Sequence, residues 1–171
     1  LTEKLAIDAA NRSVTISGAD TKLTIPGTVE NAGTYAINIG NGTVSIDGAA
    51  VTANSLIMTN NGFNKTSVLN IRNGGLLEIT QVNEAQAGLK NGAIRLAHWG
   101  SNGGACSSTV NVVGAEFRAL GAEISMGDDY NSTLNVTEGG VINAKGIRQR
   151  TSCVFNLDGG VLNLGESGIY N

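Results

Sequence analysis

The sequence predicts an all-β protein, a parallel β-helix (a β-solenoid) with three short strands per coil and about six coils. Short apolar triplets alternate along the chain with turns that contain Gly or Asn, and one strand-turn-strand pattern recurs. Of the 171 residues, 24 are Gly and only 1 is Pro. Gly and Asn tolerate the positive φ values of tight corners, whereas Pro removes a donor from a β-ladder. The glycine content therefore indicates many corners rather than flexibility.

The recurring pattern is an apolar–Asn–apolar triplet, a turn that contains glycine, and a second apolar pair. Its copies begin at Leu69-Asn70-Ile71, Leu134-Asn135-Val136 and Phe155-Asn156-Leu157, with a weaker copy at Val110-Asn111-Val112. Alternation of this kind places the apolar residues on one face of a strand and Asn on the other. Stacked coils then place four amides in one outward column, where they can bond along the axis as a structural ladder: Asn70, Asn111, Asn135 and Asn156.

A further short strand precedes each copy. These first strands are predicted at Leu5–Ile7, Ile37–Ile39, Leu56–Met58, Ile94–Leu96, Ile124–Met126 and Ile147–Gln149, and a seventh begins at Ile169. The second strands recur after 30, 25, 41, 24 and 21 residues. About 20–25 residues per coil is ordinary for a solenoid, so the excesses mark loop insertions. Stacking pairs the backbone between coils and joins the inward side chains into one core. In the third strands, Glu78 and Arg118 are expected to pair between adjacent coils.

Charge and composition exclude several classes of protein. The formal net charge is −3 and the pI is about 5.1, so the chain lacks the basic footprint of a nucleic-acid-binding protein. No apolar run approaches the roughly 20 residues of a membrane helix. No motif calls for a cofactor or a metal ion. We expect a single domain over residues 1–171, a piece of a longer extracellular protein. Low Lys and Cys with abundant Asn, Thr, Ser and Gly suit a secreted or surface protein of bacteria.

The two cysteines, Cys106 and Cys153, leave a disulfide open. Both precede a second strand, but two coils apart. In register that spacing is about 9.6 Å, beyond the usual limit of about 7 Å between the Cα atoms of a disulfide. A bend in the long loop before Cys106 would be needed to form the bond.

The best candidate for ligand binding is the corner between the first and second strands of coils four to six. Its loops bring together aromatic, acidic and guanidinium side chains: His98, Trp99, Asp128, Asp129, Tyr130, Arg148 and Arg150. Sugar sites combine such groups through ring stacking and bidentate hydrogen bonds, and two Arg would suit an acidic polysaccharide. The competing interpretation is that these are solvated solenoid loops, which vary freely on one face.

Catalysis is disfavoured at this corner. Glycoside hydrolysis needs two carboxylates about 5–9.5 Å apart across the scissile bond, and Asp128 and Asp129 are adjacent in the chain. No catalytic residue is therefore assigned.

The strand-turn-strand copies at Ser132–Ala144 and Cys153–Leu164 resemble the autotransporter-associated β-strand repeat of bacterial passenger domains. More broadly, the chain is similar to the right-handed parallel β-helices of pectin-lyase-like proteins. The resemblance implies a right-handed solenoid outside the cell. It says less about activity, because that superfamily holds adhesins, fibre stalks, phage tailspikes, polysaccharide lyases and glycoside hydrolases.

Two functions follow as hypotheses. The first is a non-enzymatic structural or adhesive segment (a spacer, fibre or adhesin) of a bacterial secreted or surface protein, with glycans or neighbouring copies of itself as partners. The second is a carbohydrate-active β-helix, a lyase, hydrolase or tailspike segment, that binds glycan at the corner of coils four to six. Neither involves nucleic acid or insertion of this segment into a membrane.

Overall fold

The protein is all-β. A computed structural model describes residues 4–27, 35–59, 64–81, 93–97, 106–127, 130–150 and 152–171. Within these ranges the chain forms strands and no helix, and so contains no helix that could span a membrane. The strands are β1 (Leu5–Ser17), β2 (Lys22–Ile25), β3 (Ile37–Asp47), β4 (Ala50–Ala53), β5 (Leu56–Met58), β6 (Thr66–Arg72), β7 (Leu76–Ile79), β8 (Ile94–Leu96), β9 (Ser107–Val113), β10 (Glu116–Met126), β11 (Asn131–Thr137), β12 (Val141–Gln149), β13 (Cys153–Asp158) and β14 (Val161–Tyr170).

The named strands pair in parallel, and their pairing follows three ladders in an unclosed sheet. The first ladder aligns Leu5, Ile37, Leu56, Ile94, Ile124, Ile147 and Ile169. The second ladder aligns Val14, Val44, Leu69, Val110, Leu134 and Phe155. The third ladder aligns Leu23, Val51, Leu77, Phe117, Ile142 and Leu162. Parallel pairing in these three columns is compatible with a β-solenoid.

Several strands are longer than the predicted triplets. The strands β1 and β3 each run through the first ladder and into the second, whereas β10, β12 and β14 run from the third ladder into the first. The backbone stays extended around these corners and absorbs the change of direction in register shifts, such as the one between Asp8 and Ser13. Prediction by apolar triplets missed this because corner residues carry no apolar signal.

Strands in the middle of the stack, such as β6, β9 and β11, bury one face. In β6, Ser67, Leu69 and Ile71 are buried while Asn70 between them is half-exposed. The same alternation recurs in β9 and β11, so the inward residues of successive strands stack into a continuous core. Full burial of a Leu or Ile side chain contributes roughly 1.5–3 kcal/mol, which makes this core the main source of stability.

The paired glycines of the repeat have two separate causes. Gly139 takes a φ of 76°, in the left-handed region that favours glycine. Gly140 instead lies against the end of β9, where an added Cβ would overlap the carbonyl oxygen of Val112. The first glycine therefore allows the turn and the second allows close stacking of the backbone.

Candidate functional site

The predicted corner loops leave the first ladder from neighbouring strands. Leu96 pairs with Met126, and Met126 pairs with Gln149. The backbone NH of Gly127 donates to the carbonyl of Leu96, and that of Arg150 donates to the carbonyl of Met126, both at 3.0 Å. The loops therefore start one beside the next along a single edge, at strand spacings of about 4.8 Å.

The same loops enter the second ladder in register. Asn131 pairs with Ser107, and Ser132 pairs with Cys153. The backbone NH of Ser132 also donates to the carbonyl of Ser152 at 3.2 Å. Both ends of each loop are thus fixed beside those of its neighbours, and we use "A–B corner" for this edge between the first and second ladders.

The predicted ligand-binding residues divide into two groups. His98, Trp99, Asp128 and Asp129 lie outside the residues that the structure describes. Tyr130 and Arg150 are placed at the A–B corner, directly before β11 and directly after β12. Arg148 lies within β12, in the first ladder. The structure thus places the residues at the ends of the predicted loops.

Arg148 belongs to a column of polar side chains on the first ladder. Its Nη2 donates to the Oγ of Ser125 at 3.1 Å, and Ser125 pairs with Arg95 on its other side. Arg95 is 2% exposed, which is rare for an arginine. Sequence analysis missed Arg95, although it holds the same middle position in Ile94-Arg95-Leu96 as Arg148 holds in Ile147-Arg148-Gln149.

Tyr170 extends this column by one strand, because it pairs with Arg148. Its phenol donates to Oε2 of Glu123 at 2.6 Å. Burial is the main reason that the pKa of Tyr170 is raised, and the bond to Glu123 adds to it while the nearby charge of Arg148 opposes it. The phenol therefore stays protonated at neutral pH and acts as a hydrogen-bond donor. Sequence analysis gave no role to Tyr170 or Glu123, which lie 47 residues apart.

The asparagines of the second ladder form a continuous chain of amides. Asn111 donates to Asn70 at 2.8 Å, and Asn135 donates to Asn111 at 2.7 Å. Asn156 donates to Asn135 at 2.7 Å, and Asn70 donates to the hydroxyl of Ser45 at 3.3 Å. These bonds run along the ladder rather than towards solvent, so the column serves the stacking of strands.

A third polar column occupies the outer face of the third ladder. Nη1 of Arg118 lies 3.7 Å from Oε1 of Glu78, which confirms the predicted pairing of these residues. Its closer partner is Glu116, which accepts from Nε at 2.8 Å and from Nη2 at 2.9 Å. Glu116 also accepts from Asn143 at 2.7 Å, and Asn163 donates to Asn143 at 2.8 Å. The prediction missed Glu116 because it considered partners on adjacent coils and not two residues back on the same strand face.

These contacts shift the acid–base behaviour of the column. The pKa of Glu116 is lowered, first by its hydrogen bond from Arg118 and then by that from Asn143, against an opposing effect of burial. The pKa of Arg118 is raised by the same bond to Glu116. Both groups are therefore ionised over the whole range from weakly acidic to alkaline pH.

No disulfide joins Cys106 and Cys153; both are thiols. Cys153 aligns with Ser132 and Ser108 in a column of small inward residues, and its Sγ donates to the carbonyl of Met126 at 3.1 Å. Cys106 instead lies one residue before β9, two strands away and out of this register. The possible disulfide is thus absent, because Cys106 lies two strands from Cys153 and out of its register.

Within the described ranges, no three His, Cys, Asp or Glu side chains converge to hold a metal ion. Comparison with protein-family models, with curated proteins and with solved structures gave no match to this chain. Any function must therefore be inferred from its own residues.

Proposed function

We propose that this chain is a non-enzymatic structural and adhesive segment of a bacterial secreted or surface protein, wound as a right-handed parallel β-helix of about six coils. The observation that carries this proposal is the alignment of apolar residues in three parallel ladders. Each coil pairs its backbone with its neighbours and buries its inward face against them, so adding coils lengthens the solenoid and keeps it rigid. Such a rod suits a spacer that holds loops away from a surface.

The hydrogen bonds between side chains support the role as a spacer. The amide chain from Asn156 to Asn70 and the charged column around Arg118 both run across successive strands. In both columns, the amide, carboxylate and guanidinium groups bond to neighbouring side chains and are not directed at a substrate. They resist sliding of one strand on the next, because a slip of one residue would reverse the face of every side chain.

The last strands support contact with neighbouring copies. Leu157, Val161 and Ile169 are each about half exposed, at 49%, 47% and 51%. Strand edges and apolar residues left open in this way favour pairing with a further strand. We propose that copies of the chain stack end to end through this surface or that further coils cover it.

The A–B corner supports the adhesive part of the proposal. Its loops start and end side by side, and an exposed Arg150 and a partly buried Tyr130 lie at their bases. Glycans are the partner that we propose for this surface, since aromatic, amide and guanidinium groups together suit sugars.

Retention on immobilised polysaccharides, with assay of the released products, tests this proposal. We expect wild-type protein to bind at least one acidic polysaccharide and to release neither new reducing ends nor unsaturated sugars. Trp99→Ala and Arg150→Gln should reduce retention, whereas Lys22→Gln, which removes a charge from an exposed position on the third ladder, should not. Retention that all three variants share equally, or none by the wild type, would remove the adhesive role.

The alternative is a carbohydrate-active β-helix with glycan bound at the corner of coils four to six. The observation in its favour is that Asp128 and Asp129 follow directly on Gly127, whose backbone NH donates to the carbonyl of Leu96 in the neighbouring strand. Product release that is lost in Asp128→Asn or Asp129→Asn would establish this alternative in place of the non-enzymatic proposal.

A further inference from the structure

A polar cleft of about 450 Å³ lies at the other end of the A–B corner, in the first strands of the chain. Asn11, Arg12, Asn41, Gly42, Asn64 and Thr66 are among the residues that line it. Its volume lies within the range of roughly 300–1,000 Å³ that is usual for small-molecule sites. None of its lining residues belongs to the predicted ligand surface.

A bulge in β1 forms one wall of the cleft. Asp8 pairs with Asn41 and Ser13 pairs with Thr43, so the four residues 9–12 lie opposite the single residue Gly42. The extra residues stand out from the ladder, as in other β-bulges. The opposite wall comes from Asn64 and Thr66, at the start of β6.

The floor of the cleft depends on Gly42. Its φ is 110°, and an added Cβ would lie 2.7 Å from the carbonyl oxygen of Arg12 and 2.9 Å from Cγ2 of Ile7. No other residue type fits this position without moving the bulge. The bulge therefore rests directly on the backbone of β3, which fixes the depth of the cleft.

An ion pair holds the two walls together. Lys65 and Asp8 flank β3 on opposite sides, and their Nζ and Oδ1 atoms are 2.6 Å apart. The pair passes over Gly40, where a Cβ would lie 2.7 Å from Oδ1 of Asp8. On the Lys65 side, the side-chain oxygen of Asn41 accepts from the backbone NH of Thr66 at 3.3 Å. The walls are thus set in place by groups of the protein itself before a ligand arrives.

We propose that this cleft binds an acidic saccharide, with the sugar carboxylate on Arg12 and the sugar hydroxyls on the amides of Asn11, Asn41 and Asn64. Amides and hydroxyls both donate and accept, which matches the hydroxyls of a sugar ring. The guanidinium of Arg12 is exposed and forms no ion pair with the described residues. The charge of Lys65 is balanced by Asp8, so one positive charge remains for a carboxylate.

The inference goes beyond the proposed function, because it assigns a second site that shares no residue with the loops of coils four to six. The residues lining the cleft are aliphatic, amide, hydroxyl or guanidinium in character. Recognition here would depend on hydrogen bonds and charge, and not on stacking against a ring. A uronic acid oligomer supplies both the hydroxyls and the carboxylate that this lining requires.

Titration with trigalacturonate tests the proposal, with galactotriose as the neutral counterpart and acetate as a simple carboxylate. The side-chain amide signals of Asn11, Asn41 and Asn64 in 1H–15N NMR report on the cleft directly. We expect saturable shifts of these signals with trigalacturonate and much weaker ones with galactotriose or acetate. Arg12→Gln should weaken binding by roughly tenfold or more, since it removes a charged donor from the carboxylate. Arg12→Lys should bind at an intermediate strength, because it keeps the charge but not the two parallel N–H donors of the guanidinium group.

Lys22→Gln is the matched control, since it removes an exposed positive charge from the third ladder, and it should leave the affinity unchanged. Equal binding of trigalacturonate and galactotriose, or no effect of Arg12→Gln, would overturn the proposal. So would amide shifts confined to the loops of coils four to six, and that outcome would support the adhesive corner separately. Loss of polysaccharide retention in Trp99→Ala, with these amide shifts unchanged, would show that the cleft binds independently of the loops of coils four to six.

Discussion

Asn135 donates a hydrogen bond of 2.7 Å from Nδ2 to Oδ1 of Asn111, although 24 residues separate them in the chain. Asn111 in turn donates to Asn70 over 2.8 Å. Each inner amide thus both donates and accepts, and such chains of hydrogen bonds reinforce one another. The contact depends on the exact register of β9 and β11, so it couples the stability of the fold to the alignment of its strands.

Alanine at Asn111 should destabilise the protein more than alanine at Asn156. Asn111 has a neighbour on each side and loses two side-chain bonds, whereas Asn156 is exposed and loses one. At a net 0.5–1.5 kcal/mol per hydrogen bond, we expect a loss of about 1–3 kcal/mol for Asn111→Ala and under about 1 kcal/mol for Asn156→Ala. Chemical denaturation measures both values. Equal losses would contradict the amide chain.

A second comparison uses one substitution at two positions of the same inward column. Leu77 is fully buried, while Leu162 in the last strand is partly exposed. Leu77→Ala should cost about 2–5 kcal/mol through lost burial and the cavity left behind. Leu162→Ala should lower the free energy of unfolding markedly less, because Leu162 is already partly exposed to water. Comparable losses in denaturation would mean that further strands or a second copy cover the end in solution.

Much of the strand register could be predicted from the sequence. Apolar triplets such as Leu56–Met58 and Ile94–Leu96 show which residues stack, because parallel ladders align like with like. The polar cleft of the first strands could not be predicted, since it depends on a bulge whose residues 9–12 follow no apolar pattern. Glu116 was missed as the partner of Arg118 because its position two residues earlier gives no repeat signal. Repetition thus predicts the stacking, while insertions decide the surface.

The Glu116 carboxylate should make part of the stability depend on pH. Its pKa in the folded protein is below the ordinary value of 4.5, so its contribution is present above about that pH and is lost as the pH falls through the folded pKa. Glu116→Gln should therefore lower the free energy of unfolding by about 0.5–1 kcal/mol at neutral pH. The difference from wild type should shrink as the pH falls below about 4.5 and through the lowered pKa of Glu116, because the carboxyl then becomes protonated.

The control for this measurement is Glu166→Gln. Glu166 is 83% exposed and lies 3.8 Å from Lys145, so this pair should contribute little at any pH. Asp47, whose pKa is also lowered, first by its hydrogen bond from Asn73, affects wild type and variants alike. A difference between Glu116→Gln and wild type that stays the same as the pH falls from 7 to well below 4.5 would contradict the charged column.

Both cysteines should be found as thiols by chemical labelling. The unreduced, denatured chain is expected to react with two equivalents of a thiol reagent, because Cys106 and Cys153 do not pair. Cys153→Ser should change the free energy of unfolding by less than about 1 kcal/mol, since the hydroxyl continues the column of Ser132 and Ser108 at nearly the same volume. A chain that yields no free thiol would show that the disulfide forms.

The central claim is that the strands stack in register along common columns, and distances between spin labels test it most directly. Thr15 and Asn156 occupy one outward column and are joined by five successive strand pairings. Thr24 and Asn163 occupy the corresponding column of the third ladder, again five pairings apart. At about 4.8 Å per pairing, pulsed electron paramagnetic resonance should give both pairs a narrow distance distribution centred at about 24 Å. Broad distributions, or means that differ widely between the two pairs, would contradict the stacked ladders.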